Sequence, residues 1–196
     1  MENITFKQAL KYPFNRPKAL LNGLWILVPI FGWLAILSYS VRIINELIEG
    51  KIKQMPKISP VQDFKDGFFL LLKSLPFLLL YTIIFEGLIY LHQGFEFLRL
   101  ISDLLIVPIL AMNFCQKQTI ESYFEFDILN KVFDNFKEYF VITLKSIGLM
   151  LTFLVLCIVI VGIPALMFGT YFFYANFYSK YLLKKSNKKK KEIKEK

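Results

Sequence analysis

Five ionisable side chains lie inside or beside otherwise apolar stretches of this sequence and are its best candidates for chemistry. They are Arg42, Glu46, Glu86, Arg99 and Asp103, and the last three form a possible intramembrane polar site. A charge in lipid is costly, so such residues usually pair with one another or face a water-filled cleft. If residues 92–96 form a turn, Glu86 and either Arg99 or Asp103 lie at similar depths on facing helices. Two interpretations stay open: a structural interhelical pair, or a path for an ion or substrate.

No catalytic or metal-binding pattern accompanies these residues. His92 is the sole histidine, which excludes a multi-histidine metal site, and its place in a short polar turn favours a solvated side chain. Cys115 and Cys157 lie in apolar stretches without CxxC spacing, which predicts two buried thiols. Nucleotide-binding and nucleophile-elbow motifs are missing. We expect no catalytic residue, cofactor, metal or enzymatic activity; the sole enzymatic alternative would need Glu86 and Asp103 to converge in a cleft.

The composition indicates a membrane protein. Of the 196 residues, 56% are hydrophobic, 21 are Phe and only 20% are charged, and the mean hydropathy is +0.49. A soluble domain of this length has too large a surface-to-volume ratio to hide so much apolar area. Helices satisfy their own backbone hydrogen bonds in lipid. We therefore expect an all-α, multi-pass membrane protein.

The basic excess of the chain is concentrated at its C-terminal end. The net charge is +9, and a basic run extends from Lys184 to Lys191, directly after a long apolar segment. This position is typical of a cytoplasmic anchor on anionic lipid headgroups, and we expect no nucleic-acid partner. We predict a disordered basic tail over residues 184–196 and a cytoplasmic C-terminus. Lys-, Ile- and Phe-rich usage favours a prokaryotic source and hence the plasma membrane.

Four apolar segments divide the chain: residues 19–45, 68–91, 97–114 and 146–183. Two further stretches, residues 1–18 and 119–145, carry apolar side chains at helical spacing. That pattern predicts an interfacial helix at the N-terminus and an amphipathic helix on the bilayer surface or against the bundle. Residues 1–183 are predicted to form one helical membrane domain.

Proline and glycine interrupt the first and last apolar segments. Pro29 and Gly32 lie in the first, and Gly162 and Pro164 lie in the last. Such pairs kink a membrane helix or break it into two halves. Broken segments in corresponding halves of a chain can mark a transport site, or they can be packing kinks.

Positive charge favours one of two topologies. Four single crossings with a cytoplasmic tail would place the Lys-rich loop at residues 50–65 outside, against the positive-inside rule. If the first and last segments bend back at Pro29 and Pro164, every Lys-bearing region faces the cytoplasm. Only the turn at residues 92–96 then reaches the far side. We favour the bent arrangement, and four spans remain the alternative.

A set of residues in the N-terminal third follows the order of a known family. The set comprises Tyr12, Pro13, Gly23, Pro29, Tyr39, Arg42, Gly50, Pro56, Asp63 and Gly67. In these residues the chain resembles the archaeal and bacterial membrane-protein family catalogued as domain of unknown function 4013. It departs from the pattern at Ser38, where glycine is expected before Tyr39. The resemblance implies a multi-helix membrane domain and brings no known reaction.

Two functional hypotheses follow from these observations. The first is a non-enzymatic accessory, assembly or scaffold component of the cell membrane. The alternative is a small transporter or channel that uses the broken helices together with Glu86, Arg99 and Asp103. The expected partners are membrane lipids, with either further copies of the chain or other membrane proteins.

Overall fold

The computed structural model describes residues 5–159 and 162–183. Within these ranges the chain is helical and contains no strand. The α-helices are α1 (Phe6–Lys11), α2 (Pro17–Leu20), α3 (Phe31–Ile48), α4 (Pro60–Leu91), α5 (Phe95–Leu105), α6 (Val107–Lys117), α7 (Asp127–Asp134), α8 (Phe136–Leu156), α9 (Gly162–Gly169) and α10 (Phe172–Phe177). Shorter 3₁₀ turns occupy Tyr12–Asn15, Leu21–Leu27, Ile120–Tyr123 and Cys157–Val159. A π turn occupies Tyr178–Leu183.

Three of these helices are long and apolar enough to cross a membrane: α3, α4 and α8. At 1.5 Å per residue, the 32 residues of α4 extend over about 48 Å, which exceeds the roughly 30 Å hydrocarbon core. Three of the five charged residues of α4 lie before Phe68, and the rest of the helix, from Phe68 to Leu91, is mainly apolar.

The first predicted segment, residues 19–45, is not one helix. A 3₁₀ stretch ends at Leu27, and α3 begins at Phe31, after Pro29 and after Ile30 with φ of +61°. The Trp33 Nε1 donates to the Ile26 carbonyl at 2.9 Å. A Cβ on Gly32 would lie 1.7 Å from the Trp25 carbonyl oxygen, so this close approach requires glycine. The 3₁₀ stretch therefore packs alongside the first turns of α3.

The third predicted segment, residues 97–114, is divided into α5 and α6. Each has 11 residues and extends over about 16 Å, too little to cross the hydrocarbon core alone. The structure thus differs from a single helix here, and Pro108 in the first turn of α6 is the cause.

Two tyrosine hydroxyls satisfy the carbonyls that this division exposes. Pro108 has no N–H to donate to the Leu104 carbonyl four residues earlier. The Tyr174 hydroxyl donates to that carbonyl instead, at 3.4 Å, and the Tyr139 hydroxyl donates to the Leu105 carbonyl at 2.7 Å. Side chains from α10 and α8 therefore stabilise the break between α5 and α6.

The stretch at residues 119–145, predicted as one amphipathic helix, also differs in the structure. A 3₁₀ turn and α7 are followed by Asn135, whose backbone is not helical (φ −124°, ψ 34°). The Asn135 Nδ2 donates to the Lys131 carbonyl at 2.8 Å, so the side chain competes with the helical backbone. Residues 136–145 belong instead to α8, one of the three candidate spans.

The last segment, residues 146–183, contains the end of α8 followed by α9 and α10. A Cβ on Gly162 would lie 2.1 Å from the Cys157 amide nitrogen, so the start of α9 comes very close to the end of α8. The predicted basic tail from Lys184 to Lys191 lies outside the described residues. So do residues 1–4 of the predicted interfacial helix, whose remainder forms α1, the turn after it and α2.

An aromatic core holds the bundle together, with α3 and α10 at its centre. The Tyr39 ring meets Phe168 edge-on at 5.2 Å, and Tyr139 lies 5.0 Å from Phe177. All four side chains are almost completely buried. Helix α1 joins this core through Ala9, and the Thr5 and Gln8 side chains form a capping box at its start.

Candidate functional site

Glu86, Arg99 and Asp103, the residues of the possible intramembrane polar site, meet on the α4–α5 hairpin. The Arg99 Nη1 lies 2.7 Å from Glu86 Oε1, and its Nε lies 4.0 Å from Asp103 Oδ2. The Tyr81 hydroxyl donates to Asp103 Oδ1 at 2.5 Å. Between about a third and three fifths of each charged side chain is exposed: 36% for Arg99, 59% for Glu86 and 47% for Asp103. We call these four residues the hairpin cluster.

The turn of this hairpin contains the sole histidine. Helix α4 ends at Leu91, and the Gly94 N–H donates to His92 Nδ1 at 2.9 Å. Glu86 lies five residues before the end of α4, about 7.5 Å along the axis, and Asp103 lies eight residues after the start of α5, about 12 Å. The hairpin cluster therefore extends from near the turn to about half the depth of a hydrocarbon core.

A second polar cluster joins α3 to the start of α4. The sequence singled out Arg42 and Asp63 but did not pair them. Asp63 is fully buried, and its carboxylate forms an ion pair with Arg42. Its Oδ2 accepts from the Ser59 N–H at 2.7 Å, and the Ser38 hydroxyl lies 3.4 Å from its Oδ1. The signal in the sequence was an acidic residue in the first turn of a helix, where a carboxylate is favourable. We call these four residues the buried pair site.

Side chains hold the loop between α3 and α4 by its carbonyl groups. Four side chains donate to main-chain carbonyl oxygens of this loop. Asn15 Nδ2 donates to Lys53 (3.1 Å) and Arg16 Nη1 donates to Met55 (3.0 Å). The Tyr39 hydroxyl donates to Pro56 (3.0 Å) and Arg42 Nη1 donates to Lys57 (2.8 Å). These donors come from the turn after α1, from the residue before α2 and from α3. The loop path is therefore fixed from outside the loop.

The glycines of the family-like set serve close approach or a special turn. A Cβ on Gly67 would lie 1.9 Å from the Leu34 carbonyl oxygen, and one on Gly23 would lie 2.9 Å from Pro164. Gly50 has φ of +83°, which suits the turn after α3. These residues bring segments distant in sequence into contact, which is a packing role.

The N-terminal members of the set, Tyr12 and Pro13, are also buried. The Tyr12 ring lies 5.2 Å from Phe172, and burial raises the pKa of its phenol. The side chain of Pro13 contacts the region of Gly169, where a Cβ would lie 2.9 Å from its Cγ. Both residues anchor the turn after α1 to the last segment.

A third polar cluster, also absent from sequence expectations, connects α6, the loop before α7 and the C-terminal π turn. The Tyr178 hydroxyl donates to Asn113 Oδ1 at 2.8 Å, and Asn113 Nδ2 donates to the Ser122 carbonyl at 2.6 Å and to Glu125 Oε2 at 3.1 Å. Lys117 forms an ion pair with Glu125. Partial burial favours a raised pKa for Glu125, but the hydrogen bonds from Lys117 and Asn113 outweigh it, so its pKa is lowered.

The sequence model of a family described as "Protein of unknown function (DUF4013)" matches residues 21–162, well over half of the chain. The chain belongs to the DUF4013 family. The resemblance inferred from the N-terminal residues is thereby confirmed. Searches of curated proteins and of solved structures returned no match.

The DUF4013 match contains both arginine–carboxylate clusters. The hairpin cluster and the buried pair site lie inside residues 21–162, whereas Tyr12, Pro13 and α10 lie outside them. The helices of this DUF4013 protein are compatible with a membrane protein of an uncharacterised family. The match itself assigns no reaction to these residues.

Residues that bind metals do not assemble in the described part of this DUF4013 protein. Across residues 5–159 and 162–183, no group of three His, Cys, Asp or Glu side chains is placed to hold a metal ion. Cys115 is buried and Cys157 is partly buried, and both are free thiols. A cavity of about 440 Å³ lies between α3 and α4, beside the buried pair site, and is lined by Arg42, Asn45 and Lys73 among others.

Proposed function

We propose that this protein is a non-enzymatic scaffold or assembly component of a larger complex in the prokaryotic plasma membrane. Its α4–α5 hairpin would dock against a helix of another membrane protein. The observation that supports this proposal is the exposure of α4: only 17% of its most apolar 18-residue window is buried inside the protein, against 61% for α3. A helix that is apolar all round and largely uncovered needs lipid or a protein neighbour.

The charges of the hairpin cluster favour a protein neighbour over lipid alone. Glu86, Arg99 and Asp103 are each partly exposed on an otherwise apolar surface. In hydrocarbon, uncovered charges at this depth are costly. A neighbouring helix with polar groups would cover them at lower cost.

The formal charge of the hairpin cluster indicates what kind of helix fits. Two carboxylates and one guanidinium give −1, so a partner helix that carries Lys or Arg at the same depth would balance the cluster. A second copy of this chain would place two net negative clusters against each other, which is unfavourable. The proposal therefore commits to a different membrane protein as the partner.

The proposed topology is multi-pass with the C-terminus in the cytoplasm. The packing of Leu21–Leu27 against α3 and of α9 against α8 supports bends near Pro29 and Pro164. The Lys-bearing loops then face the cytoplasm, and the His92 turn reaches the far side.

Cysteine accessibility in intact cells tests this topology. Single cysteines replace Lys53, His92, Glu125 and Ser186 in a background without Cys115 and Cys157. We expect an impermeant thiol reagent to label position 92 alone from outside. Labelling at positions 53 and 125, with positions 92 and 186 protected, would establish four spans instead.

A transporter or channel that uses Glu86, Arg99 and Asp103 is the second candidate. The short contact between Arg99 and Glu86 gives each charge a counter-ion within the chain, which favours a structural pair over an ion path. Purified protein in vesicles should show the same ion and small-anion flux as protein-free vesicles. A flux that Glu86→Gln alters would support the transporter and overturn the scaffold.

Site-specific photocrosslinking in native membranes tests the docking face directly. A photoreactive residue replaces Ile83 on α4, which is 68% exposed, and a matched probe replaces Val155 on α8, which is 65% exposed. We expect a discrete protein adduct from position 83, lost when Glu86 and Asp103 are changed to Gln and Asn, and only lipid adducts from position 155.

Three outcomes would contradict the docking proposal. Lipid adducts alone from position 83 would show that α4 faces the bilayer. With two differently tagged copies in one cell, an adduct that carries both tags would show self-association. An adduct that persists in the Glu86→Gln/Asp103→Asn variant would show that the hairpin cluster does not select the partner.

A further inference from the structure

A cavity of about 390 Å³ opens between the first half of α8 and the α10–π-turn segment. Lys137 and Lys145 line it from α8, and Lys180 lines it from the π turn. One acidic residue, Glu138, also lines it. Three lysines and one glutamate give a formal charge of +2, so the cavity favours an anion.

The lysines of this cavity have no carboxylate partner among the described residues. The Lys180 Nζ lies 5.0 Å from the centre of the Tyr181 ring, a cation–π contact that keeps its three N–H donors available. A phosphate group with several acceptor oxygens can bind such ammonium groups together.

A second, independent observation points to a ligand in the same cavity. Asn176 lines it, and its Oδ1 is buried without a hydrogen-bond donor in the described structure. An acceptor left unpaired costs about 1–3 kcal/mol. A ligand with a hydroxyl or ammonium group beside its phosphate would satisfy this oxygen, as the headgroups of phospholipids do.

The apolar surroundings and the depth of the cavity indicate a lipid rather than a soluble anion. Phe173 and Phe177 form its buried side, whereas Val141 and the neighbouring Leu144 are exposed. Lys145 lies nine residues after the start of α8, about 14 Å along a candidate span. A lysine there extends its ammonium group toward the headgroup level. The headgroup of a lipid would thus contact the lysines, and its acyl chain would contact the exposed apolar side chains of α8.

We propose that this cavity is a specific site for an anionic phospholipid, with the phosphate bound by Lys137, Lys145 and Lys180 and an acyl chain along α8. The site is distinct from the basic tail between Lys184 and Lys191, which would attract anionic headgroups by charge alone. It lies outside the hairpin cluster, so its test does not depend on the proposed docking partner.

Thermal unfolding of the full-length protein in a non-ionic detergent provides the test. The probes are dioctanoyl phosphatidylglycerol, dioctanoyl phosphatidylcholine and inorganic phosphate. We expect the anionic lipid alone to raise the unfolding temperature at low concentration. The Lys145→Gln/Lys180→Gln variant should bind it about thirtyfold more weakly, since each basic residue near an anionic surface contributes about fivefold.

Matched control variants distinguish lipid binding in the cavity from a general effect of positive charge on the protein surface. Lys65→Gln/Lys73→Gln removes two exposed lysines from α4 and should leave lipid binding unchanged, whereas Lys145→Arg/Lys180→Arg should retain it. Without lipid, all these variants should unfold at the temperature of the parent, because the side chains are at the surface.

Three results would overturn the proposed lipid site. Equal stabilisation by phosphatidylcholine would show that the cavity does not select the anion. Saturation by inorganic phosphate at the same concentration would assign the cavity to a soluble phosphate. Loss of the response when Lys188 to Lys191 are changed to Gln, with the cavity intact, would place lipid binding in the tail.

Discussion

Helices α3 and α4 pack side by side, yet they have opposite relations to the rest of the protein. Most of α3 is buried inside the bundle, whereas most of the apolar part of α4 is not. Helix α4 carries the carboxylates of two arginine–carboxylate pairs, whose arginines lie on α3 and on α5. Arg42 meets Asp63 in the interior, and Arg99 meets Glu86 on an open surface. An arginine–carboxylate pair therefore stabilises the fold of the chain in one place and lies on an exposed surface in the other.

The difference lies in the number of groups that each carboxylate satisfies. Asp63 accepts from Arg42, from the Ser59 N–H and from Ser38, and no part of it is exposed. Glu86 has Arg99 as its hydrogen-bond donor and remains more than half exposed. Removing one partner of a buried pair leaves an uncompensated charge, whereas a partly exposed pair contributes little to stability.

Removing the buried carboxylate should have the largest effect. We expect Asp63→Ala to lower the free energy of unfolding by about 3–5 kcal/mol, because Arg42 and the Ser59 N–H lose their shared acceptor. Denaturant titration of the purified protein in detergent micelles measures this. Asp66→Ala, on the exposed side of the same helix, should change it by less than about 0.5 kcal/mol. Equal stabilities of the two variants would contradict a structural role for the buried pair site.

Two glycines of α4 offer a sharper comparison within one helix. A Cβ on Gly67 would collide with the Leu34 carbonyl, whereas a Cβ on Gly87 meets nothing within 4 Å. We expect Gly67→Ala to destabilise the protein by about 1–3 kcal/mol. Gly87→Ala should be neutral or stabilise it by up to about 1 kcal/mol, because alanine has the higher helix propensity. The same titration checks both, and a cost at Gly87 would show that the hairpin is covered within one chain.

The open pair should be nearly neutral for the isolated protein. We expect Arg99→Met to change the free energy of unfolding by less than about 1 kcal/mol, and we expect Glu86→Gln/Asp103→Asn to abolish the crosslink from position 83. A loss of unfolding free energy comparable to that of Asp63→Ala would show that the hairpin cluster stabilises the fold, and that the two pairs do not differ in this respect.

The Lys117–Glu125 ion pair should give the stability of the protein a small dependence on pH. Its carboxylate has a lowered pKa in the fold, so its stabilisation is fully present above the unfolded pKa of about 4.3 and is lost as the pH falls through the folded value. Because both side chains are more than two fifths exposed, we expect about 0.5 kcal/mol. Unfolding temperatures between pH 3 and pH 7 should depend less on pH in Glu125→Gln. The exposed control Glu121→Gln should keep the dependence of the parent.

Local patterns in the sequence predicted an all-helical chain with helices long and apolar enough to span a membrane. A turn near His92 puts Glu86 and either Arg99 or Asp103 at similar depths, and in the structure the Arg99 Nη1 lies 2.7 Å from Glu86 Oε1. Here the partners are 13 residues apart, so a local turn is enough to relate them.

The burial of α3 and the two unexpected polar clusters could not be predicted in the same way. Lipid is as apolar as a protein interior, so hydropathy does not distinguish a central helix from a peripheral one. Tyr178 and Asn113 are 65 residues apart, and Tyr174 reaches the Leu104 carbonyl across 70. Only the packed bundle brings these groups together. The break at Asn135 likewise depends on a side chain that competes with its own backbone.

The loop between α3 and α4 has a consequence for how such a protein can evolve. Asn15, Arg16, Tyr39 and Arg42 hold it by main-chain oxygens, which every amino acid possesses. Replacement of Lys53 or Lys57 therefore leaves the acceptors in place. Substitutions can thus change the surface charge of this loop while the hydrogen bonds that fix its path are kept.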